Sequence, residues 1–169
     1  MKSKCFWITG LSGSGKTTIA KKLNNFLIKS NYKPILLDGD QLRKIFNHDK
    51  YDKNSRLEYG YCYSRLCKFL VNQNQIVIIG IVGLFHELQN WNKNNIKGYT
   101  EIFLDVPYKE LIRRDPKGHY KKLKKGKLNN FFGFNIKPEF PKKPSAHIIW
   151  EKNDTVNKTF KKLCKKLKL

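Results

Sequence analysis

Short apolar runs alternate along the chain with stretches whose hydrophobic residues recur every three to four positions. Cys5-Phe6-Trp7-Ile8-Thr9 is apolar on both faces, the pattern of a buried strand. A glycine-rich turn follows. Residues 17–29 then carry Ile19, Leu23, Phe26 and Leu27 at helical spacing. Residues 34–37 predict a second strand ending in Asp38-Gly39-Asp40. Residues 41–47 predict a short helix, and 56–72 a longer one with Leu66, Phe69 and Leu70 on its apolar face. Residues 76–81 predict a central strand with both faces buried, as in parallel sheets. Further strands are expected at 101–106 and 146–150, and a helix begins at 109–114. The Lys- and Gly-rich stretch 117–130 reads as a mobile segment. Residues 155–169 predict an amphipathic helix striped by Val156, Phe160, Leu163 and Leu167. Such a stripe either covers a sheet or lies on a membrane surface; the first is the expectation. This alternation predicts an α/β fold, a three-layer sandwich around a mostly parallel five-stranded sheet.

The chain has 169 residues, and one domain spanning 1–169 is expected, with no internal repeat or linker. Hydrophobic residues make up 40%, enough for one core, which argues against disorder. The longest apolar run, Ile76 to Phe85, is ten residues, about half of what a bilayer span requires.

The net charge of +22 changes the picture more. A polyanion or nucleic-acid partner is one reading. Compositional drift is the other, and the preferred one. Thirty of the 35 basic residues are Lys, Asn occurs 16 times and Ala twice, and the lysines are scattered along the chain. Nucleic acid is therefore not expected as a partner. Cys5, Cys62, Cys67 and Cys164 form no CxxC pair and no zinc-spaced cluster. Free thiols suit a reducing cytosol, and no leader pattern precedes the first strand. A cytoplasmic location is expected.

Gly10-Leu-Ser-Gly-Ser-Gly15-Lys16-Thr17 matches the phosphate-loop pattern GxxxxGK[ST] between a predicted strand and a predicted helix. Glycines let successive N–H groups turn inward as an anion nest, and the helix adds its positive end. Gly10, Ser12, Gly13, Ser14, Gly15, Lys16, Thr17 and Thr18 are the candidate ATP-phosphate residues. Lys16 can reach the β- and γ-phosphates, and the Thr17 hydroxyl can bind Mg²⁺. No NKxD guanine motif is present. A small phosphate-loop domain with a basic lid at about 114–130 points to a P-loop nucleotide-kinase-like small-molecule kinase using ATP and Mg²⁺.

Asp38 and Asp40 lie at the carboxyl end of a strand, where ligands bind in open α/β sheets. One can hold the metal while the other takes the acceptor's proton. Alternatively both serve the turn, with Asp40 capping the following helix. Arg43, one turn on, can hold an acceptor phosphate.

These residues resemble the adenylylsulfate kinase family. Trp7-Ile-Thr-Gly-Leu-Ser-Gly-Ser-Gly-Lys-Thr-Thr18 looks like its phosphate loop, and Leu37-Asp-Gly-Asp-Gln-Leu-Arg43 is similar to its LDGDxxR segment. Arg114-Asp-Pro-Lys-Gly-His-Tyr120 is similar to its RDxKGLY lid, and Phe131-Phe-Gly-Phe-Asn135 with Glu139 and Pro141 to its FTGID…E-x-P segment. The resemblance covers about residues 5–150. It implies transfer of the ATP γ-phosphoryl group to the ribose 3′-hydroxyl of adenylyl sulfate, the family's acceptor. By the same resemblance Asp40 is the base and a metal ligand with Thr17, and Asp38 stands beside it. Arg43 and Arg56 grip the acceptor phosphate, Tyr51 and Phe131 sandwich its base, and Arg114 and Lys117 belong to the lid. A homodimer is a further implication.

The chain also departs from the pattern. Where the family reads DRxENxRR, this chain has Ser55-Arg56-Leu57-Glu58-Tyr59-Gly60-Tyr61-Cys62; where it reads ISP[YF]R, Val82-Gly83-Leu84-Phe85-His86 stands. These changes are expected to cluster on the acceptor side, leaving the ATP side intact. A site that hydrogen-bonds its substrate discriminates by about 10⁴ or more, so the changes imply a different acceptor. They resemble a branch of the family acting in capsular polysaccharide synthesis, which phosphorylates the 3′-hydroxyl of a cytidine nucleotide carrying a phosphoramidate. An ordinary adenylylsulfate kinase is the second reading, and a basic nucleic-acid-binding ATPase the third. His86 and His119 read as surface or packing residues.

Overall fold

The computed structural model describes residues 4–169. Five strands form one parallel sheet in the order β2-β3-β1-β4-β5: β1 Lys4–Thr9, β2 Ile35–Asp38, β3 Ile76–Gly80, β4 Tyr99–Asp105 and β5 Ala146–Ile149. The helices between them are α1 Lys16–Lys29, α2 Gly39–Ile45, α3 Lys53–Asn72, α4 His86–Asn95, α5 Tyr108–Arg114, α6 His119–Lys124 and α7 Val156–Leu167.

Alternate residues of the strands feed opposite layers, since successive side chains point to opposite faces. Cys5, Trp7, Val77, Ile79 and Phe103 pack with Tyr63, Cys67 and Val71 of α3 and Leu88 of α4. Phe6, Ile8, Ile78, Ile102 and Leu104 pack with Ile19, Leu23 and Leu27 of α1 and Leu163 of α7. The stripe of α7 is thus spent on the sheet: Leu163 is fully buried, and Phe160 meets Phe26 edge-on at 5.9 Å. Only Val156 of that stripe stays exposed. Among the described residues no helix is long and apolar enough to cross a membrane.

Every strand is close to its expected place. β2 starts at Ile35 because Pro34 has no N–H for the ladder. Helix α3 starts three residues earlier than expected, at Lys53, where the Asp52 side chain accepts from Ser55 N–H at 3.0 Å as N-cap. Two helices differ from expectation. α4 was not expected at all: two of its three buried residues, Gln89 and Asn92, are polar, so it shows little apolar periodicity. The 117–130 stretch, read as a mobile segment with no helix assigned to it, contains α6, which buries Tyr120 and Leu123.

The order places β1 at the centre, with β2 reached across β3. That crossover opens a crevice at the carboxyl ends of β1 and β3, and both the phosphate loop and the Asp38 turn face it.

Candidate active site

The phosphate loop leaves β1 at Gly10, whose backbone passes so close to β4 that a Cβ would sit 2.7 Å from the Leu104 carbonyl and 2.8 Å from Ser14 Oγ. Only glycine permits this approach. Thr9 beneath it donates its hydroxyl to the Val82 carbonyl, tying the loop base to the β3 exit. Gly15, with φ +94°, turns the chain into α1. Lys16 Nζ curls back to the Leu11 carbonyl at 2.9 Å. Burial and, next, the charge of Lys117 push its pKa down to about 8, against the opposing pull of Asp40 and Asp38.

All candidate site residues except Gly10 line one cleft of about 1900 Å³. A single ligand usually occupies about 300–1,000 Å³, so there is room for two nucleotides. Gly10 acts from beneath, by shaping the loop.

The two aspartates have separate roles. Asp38, not Asp40, caps the following helix: its Oδ1 accepts from Asp40 N–H at 3.0 Å and Gln41 N–H at 3.3 Å. Its other oxygen accepts from the Thr17 hydroxyl at 2.8 Å. Asp40 instead pairs with Lys117. Burial pushes the Asp40 carboxyl up, but the Lys117 hydrogen bond and the charges of Lys117 and Lys16 outweigh it and hold the pKa below its ordinary value. Thr17, Asp38 and Asp40 together offer only oxygen donors, at the mouth of a phosphate loop. That donor set fits Mg²⁺, which typically takes one or two protein ligands and completes its shell with phosphates and water.

The basic residues are held in different ways. Arg43 donates to the carbonyls of His48 at 2.9 Å and Lys50 at 3.0 Å, and Arg56 to those of Tyr51 at 2.6 Å and Asn130 at 2.8 Å. Both guanidinium groups lie against the Tyr51 ring, 4.3 Å and 5.2 Å from its centre. Burial and then the Arg43 charge lower the Arg56 pKa to about 10. Two crowded cations of this kind favour an anion beside them. Arg114 lies elsewhere, over the Trp150 ring at 5.4 Å, with its Nε on Glu110 at 2.7 Å. Glu110 also takes a bidentate contact from Arg113; the two arginines hold its pKa down to about 2, Arg113 contributing most.

Phe131 is buried and meets His119 and Tyr120 edge-on. His119, which stands where the resembling family has Leu, lines the cleft and lies 3.4 Å from Ser12 Oγ. It packs on Phe131, as a packing residue does, and also faces the cleft, for which the lid mismatch at this position was the available signal. Glu110, Trp150 and His48 also line the cleft, and no motif pointed to them.

The departures do not all cluster on the acceptor side. Tyr59 and Gly83 line the cleft, and Gly83 sits at φ +41°, where a side chain is strained. Tyr61 turns away to donate to Glu87 on α4 at 3.1 Å and to pack edge-on against Trp91. Cys62 lies outside the cleft, and Leu84 is buried in the core. His86 binds the 139–140 segment: its N–H donates to Glu139 at 2.6 Å, and its ring Nε2 lies 2.9 Å from the Phe140 carbonyl.

Known proteins share this arrangement. The family model described as adenylylsulphate kinase matches residues 2–149. A Campylobacter jejuni protein described as cytidine diphosphoramidate kinase is 40% identical over 85% of this chain and 82% of its own length. An adenylyl-sulfate kinase of Clostridium acetobutylicum is 36% identical over 87% of this chain and 74% of its own. Among solved structures, the Mycobacterium tuberculosis APS kinase in complex with AMPPNP and APS superposes with a TM-score of 0.89 and 26% identity, covering 99% of both chains. Shikimate kinase from Aquifex aeolicus shares the fold, at TM-score 0.60 and 16% identity. With the phosphate loop, the paired aspartates and the two-nucleotide cleft in one parallel sheet, the chain belongs to the adenylylsulphate kinase family and is a phosphotransferase, a nucleotide kinase.

Proposed function

We propose that the chain transfers the γ-phosphoryl group of ATP to the ribose 3′-hydroxyl of cytidine diphosphoramidate, as a step in making capsular polysaccharide phosphoramidate. The observation that carries this reading is the contrast within the cleft. The phosphate loop matches the family, while other residues lining the cleft depart from it, with Tyr59 where the resembling family has Asn. The 40% identical relative described as cytidine diphosphoramidate kinase supports the same acceptor.

In this mechanism the loop N–H groups and Lys16 hold the β- and γ-phosphates. Thr17 and Asp40 would hold Mg²⁺, which when bound neutralises charge on the transferring phosphate. Asp40 accepts the proton of the 3′-hydroxyl while the oxygen–phosphorus bond to ADP breaks and the bond to the 3′-oxygen forms. Lys117, paired with Asp40, turns to the phosphates as the 114–130 lid closes, which frees the carboxylate to act as base. Arg43 and Arg56 hold the acceptor's diphosphoramidate, and Phe131 and the edge of Tyr51, whose ring carries both guanidinium groups, flank its base. Arg114 lies with Trp150 on the ATP side. The working unit is proposed to be a homodimer in the cytoplasm.

The test is an ATP-coupled panel of acceptors: cytidine diphosphoramidate, adenosine diphosphoramidate, adenylyl sulfate, CDP and none, with phosphorus NMR locating the new phosphate. Preference for the cytidine phosphoramidate with a 3′-monophosphate product is expected. Preference for adenylyl sulfate would instead establish the second reading, an enzyme making 3′-phosphoadenylyl sulfate, which the 36% identical Clostridium relative favours.

A further inference from the structure

One wall of the cleft is a continuous column of rings and guanidinium groups. His48 lies flat on Tyr59, with ring centres 3.8 Å apart and planes within 6°. Phe46 stacks against His48 as well, with ring centres 5.5 Å apart. Beyond Tyr59, the Arg43 guanidinium bridges the Tyr59 and Tyr51 rings at 5.2 and 4.3 Å, and Arg56 bridges Tyr51 and Phe132 at 5.2 and 5.3 Å.

We propose that the stacked pair His48–Tyr59, braced by Tyr63, is the element that selects a single-ring base on the acceptor. This rests on the nucleotide-kinase reading above and names the feature that sets its acceptor.

Three features make the pair a fixed wall. Tyr59 and Tyr63 are four residues apart on α3 and so share a helix face. The Tyr63 hydroxyl lies 2.8 Å from His48 Nδ1 and sets the rotation of the imidazole. Between them, Gly60 is buried against α4, and a Cβ there would fall 2.6 Å from Leu88 Cδ2. The helix already touches its neighbour at this level, so Tyr59 has no room to withdraw from the cleft.

The chemistry follows from that rigidity. Where the resembling family has the short Asn, Tyr59 adds a six-membered ring to the wall. One ring is also the difference between a purine and a pyrimidine. Since His48 and Tyr59 are stacked on each other, with Phe46 against the first and Arg43 against the second, the pair acts by excluded volume rather than by stacking on the base. His48 Nε2 has no protein partner among the described residues, which leaves one ring edge to hydrogen-bond a base. Burial, then the Arg43 charge, lowers the His48 pKa, so that edge belongs to a neutral imidazole near pH 7.

The experiment uses the full chain with ATP and Mg²⁺ and compares cytidine diphosphoramidate with adenosine diphosphoramidate, which differ only in the base. The wild type favours cytidine. Tyr59→Asn should cut the cytidine-to-adenosine ratio of kcat/KM by on the order of 100-fold, the range that pocket volume controls. Tyr59→Phe, which keeps the ring, should preserve the ratio. His48→Phe, which keeps the stack but loses both Nε2 and the Nδ1 contact to Tyr63, should lower kcat/KM for cytidine by about tenfold, the value of one hydrogen bond, whereas Tyr63→Phe, which removes only the Nδ1 contact, should lower it less. An unchanged ratio in Tyr59→Asn, with its melting temperature intact, would overturn the proposal. If that variant melts early, an unchanged cytidine kcat/KM in His48→Phe would do so independently. Failure of the acceptor reading itself shows in the wild type, as a preference for adenylyl sulfate. Failure of the wall alone shows only in the variants.

Discussion

Lys16 donates to the Leu11 carbonyl and shares the mouth of the cleft with Lys117. Burial and that neighbouring charge hold its ammonium group at about 8. Bound phosphates favour the charged form, so the pKa of Lys16 rises when nucleotide binds. Binding must then recruit a proton above the pKa of the free protein, and affinity falls as pH rises through 8. The charged fraction drops from about 90% at pH 7 to about 10% at pH 9. Affinity for a non-hydrolysable ATP analogue should therefore weaken about tenfold between these values, or ~1.4 kcal/mol. Phosphate's own second ionisation, near pH 6, is largely complete across this range. Calorimetry with Mg²⁺, in two buffers of different ionisation enthalpy, reads both the affinity and the proton taken up. Lys16→Ala should bind weakly with a flat pH profile and lose turnover. Lys117→Ala should move the wild-type midpoint upward by removing the repelling charge. A constant Kd from pH 7 to 9 with no proton uptake would refute the reasoning.

Asp40→Asn should lower kcat by about 10²–10⁴, the usual range for a general base, with little change in melting temperature, because its pair with Lys117 is exposed. Near-normal turnover would move the role to Asp38. Asp38→Ala should cost about 1 kcal/mol of stability through the lost N-cap, while Asp38→Asn should keep most of it; equal thermal shifts in the two variants would contradict the capping geometry. Filter binding to RNA and DNA should be weak and nearly independent of salt between 50 and 200 mM, since scattered lysines make few simultaneous phosphate contacts. A steep salt slope would instead favour a nucleic-acid partner.

The parallel sheet and the strand–loop–helix setting of the phosphate loop were legible because their signals are local. Apolar runs mark strands buried on both faces, and a phosphate loop must carry glycine wherever the backbone turns inward. Helix α4 was not legible because its inner face carries Gln89 and Asn92, and Gln89 is held by the Glu139 carbonyl at 2.8 Å rather than by apolar packing. Motif position alone could not divide the labour of Asp38 and Asp40 either. Which carboxylate caps the helix depends on the backbone at Asp38, which is extended (φ −112°, ψ 130°) and turns its side chain toward the N–H groups of residues 40 and 41. The departures show the same limit. On one helix Tyr59 lines the cleft and Tyr61 faces α4. Two residues along a helix rotate a side chain by about 200°, so neighbouring substitutions need not act on one site.

The two halves of the cleft also rest on different supports, and this bears on how the acceptor can change while the reaction does not. The phosphate loop is wedged against the sheet: Gly10 touches the Leu104 carbonyl of β4, and Thr9 binds the Val82 carbonyl beyond β3. Altering it disturbs the three central strands. The wall around Tyr59 hangs instead on side chains of α3 and the loop after α2, joined by ring stacking and by Arg43 and Arg56 contacts to loop carbonyls. Replacing Tyr59 there removes a ring from the cleft without breaking a strand ladder or a helix cap. The fold thus lets the wall around Tyr59 vary while the phosphate loop stays fixed against the sheet.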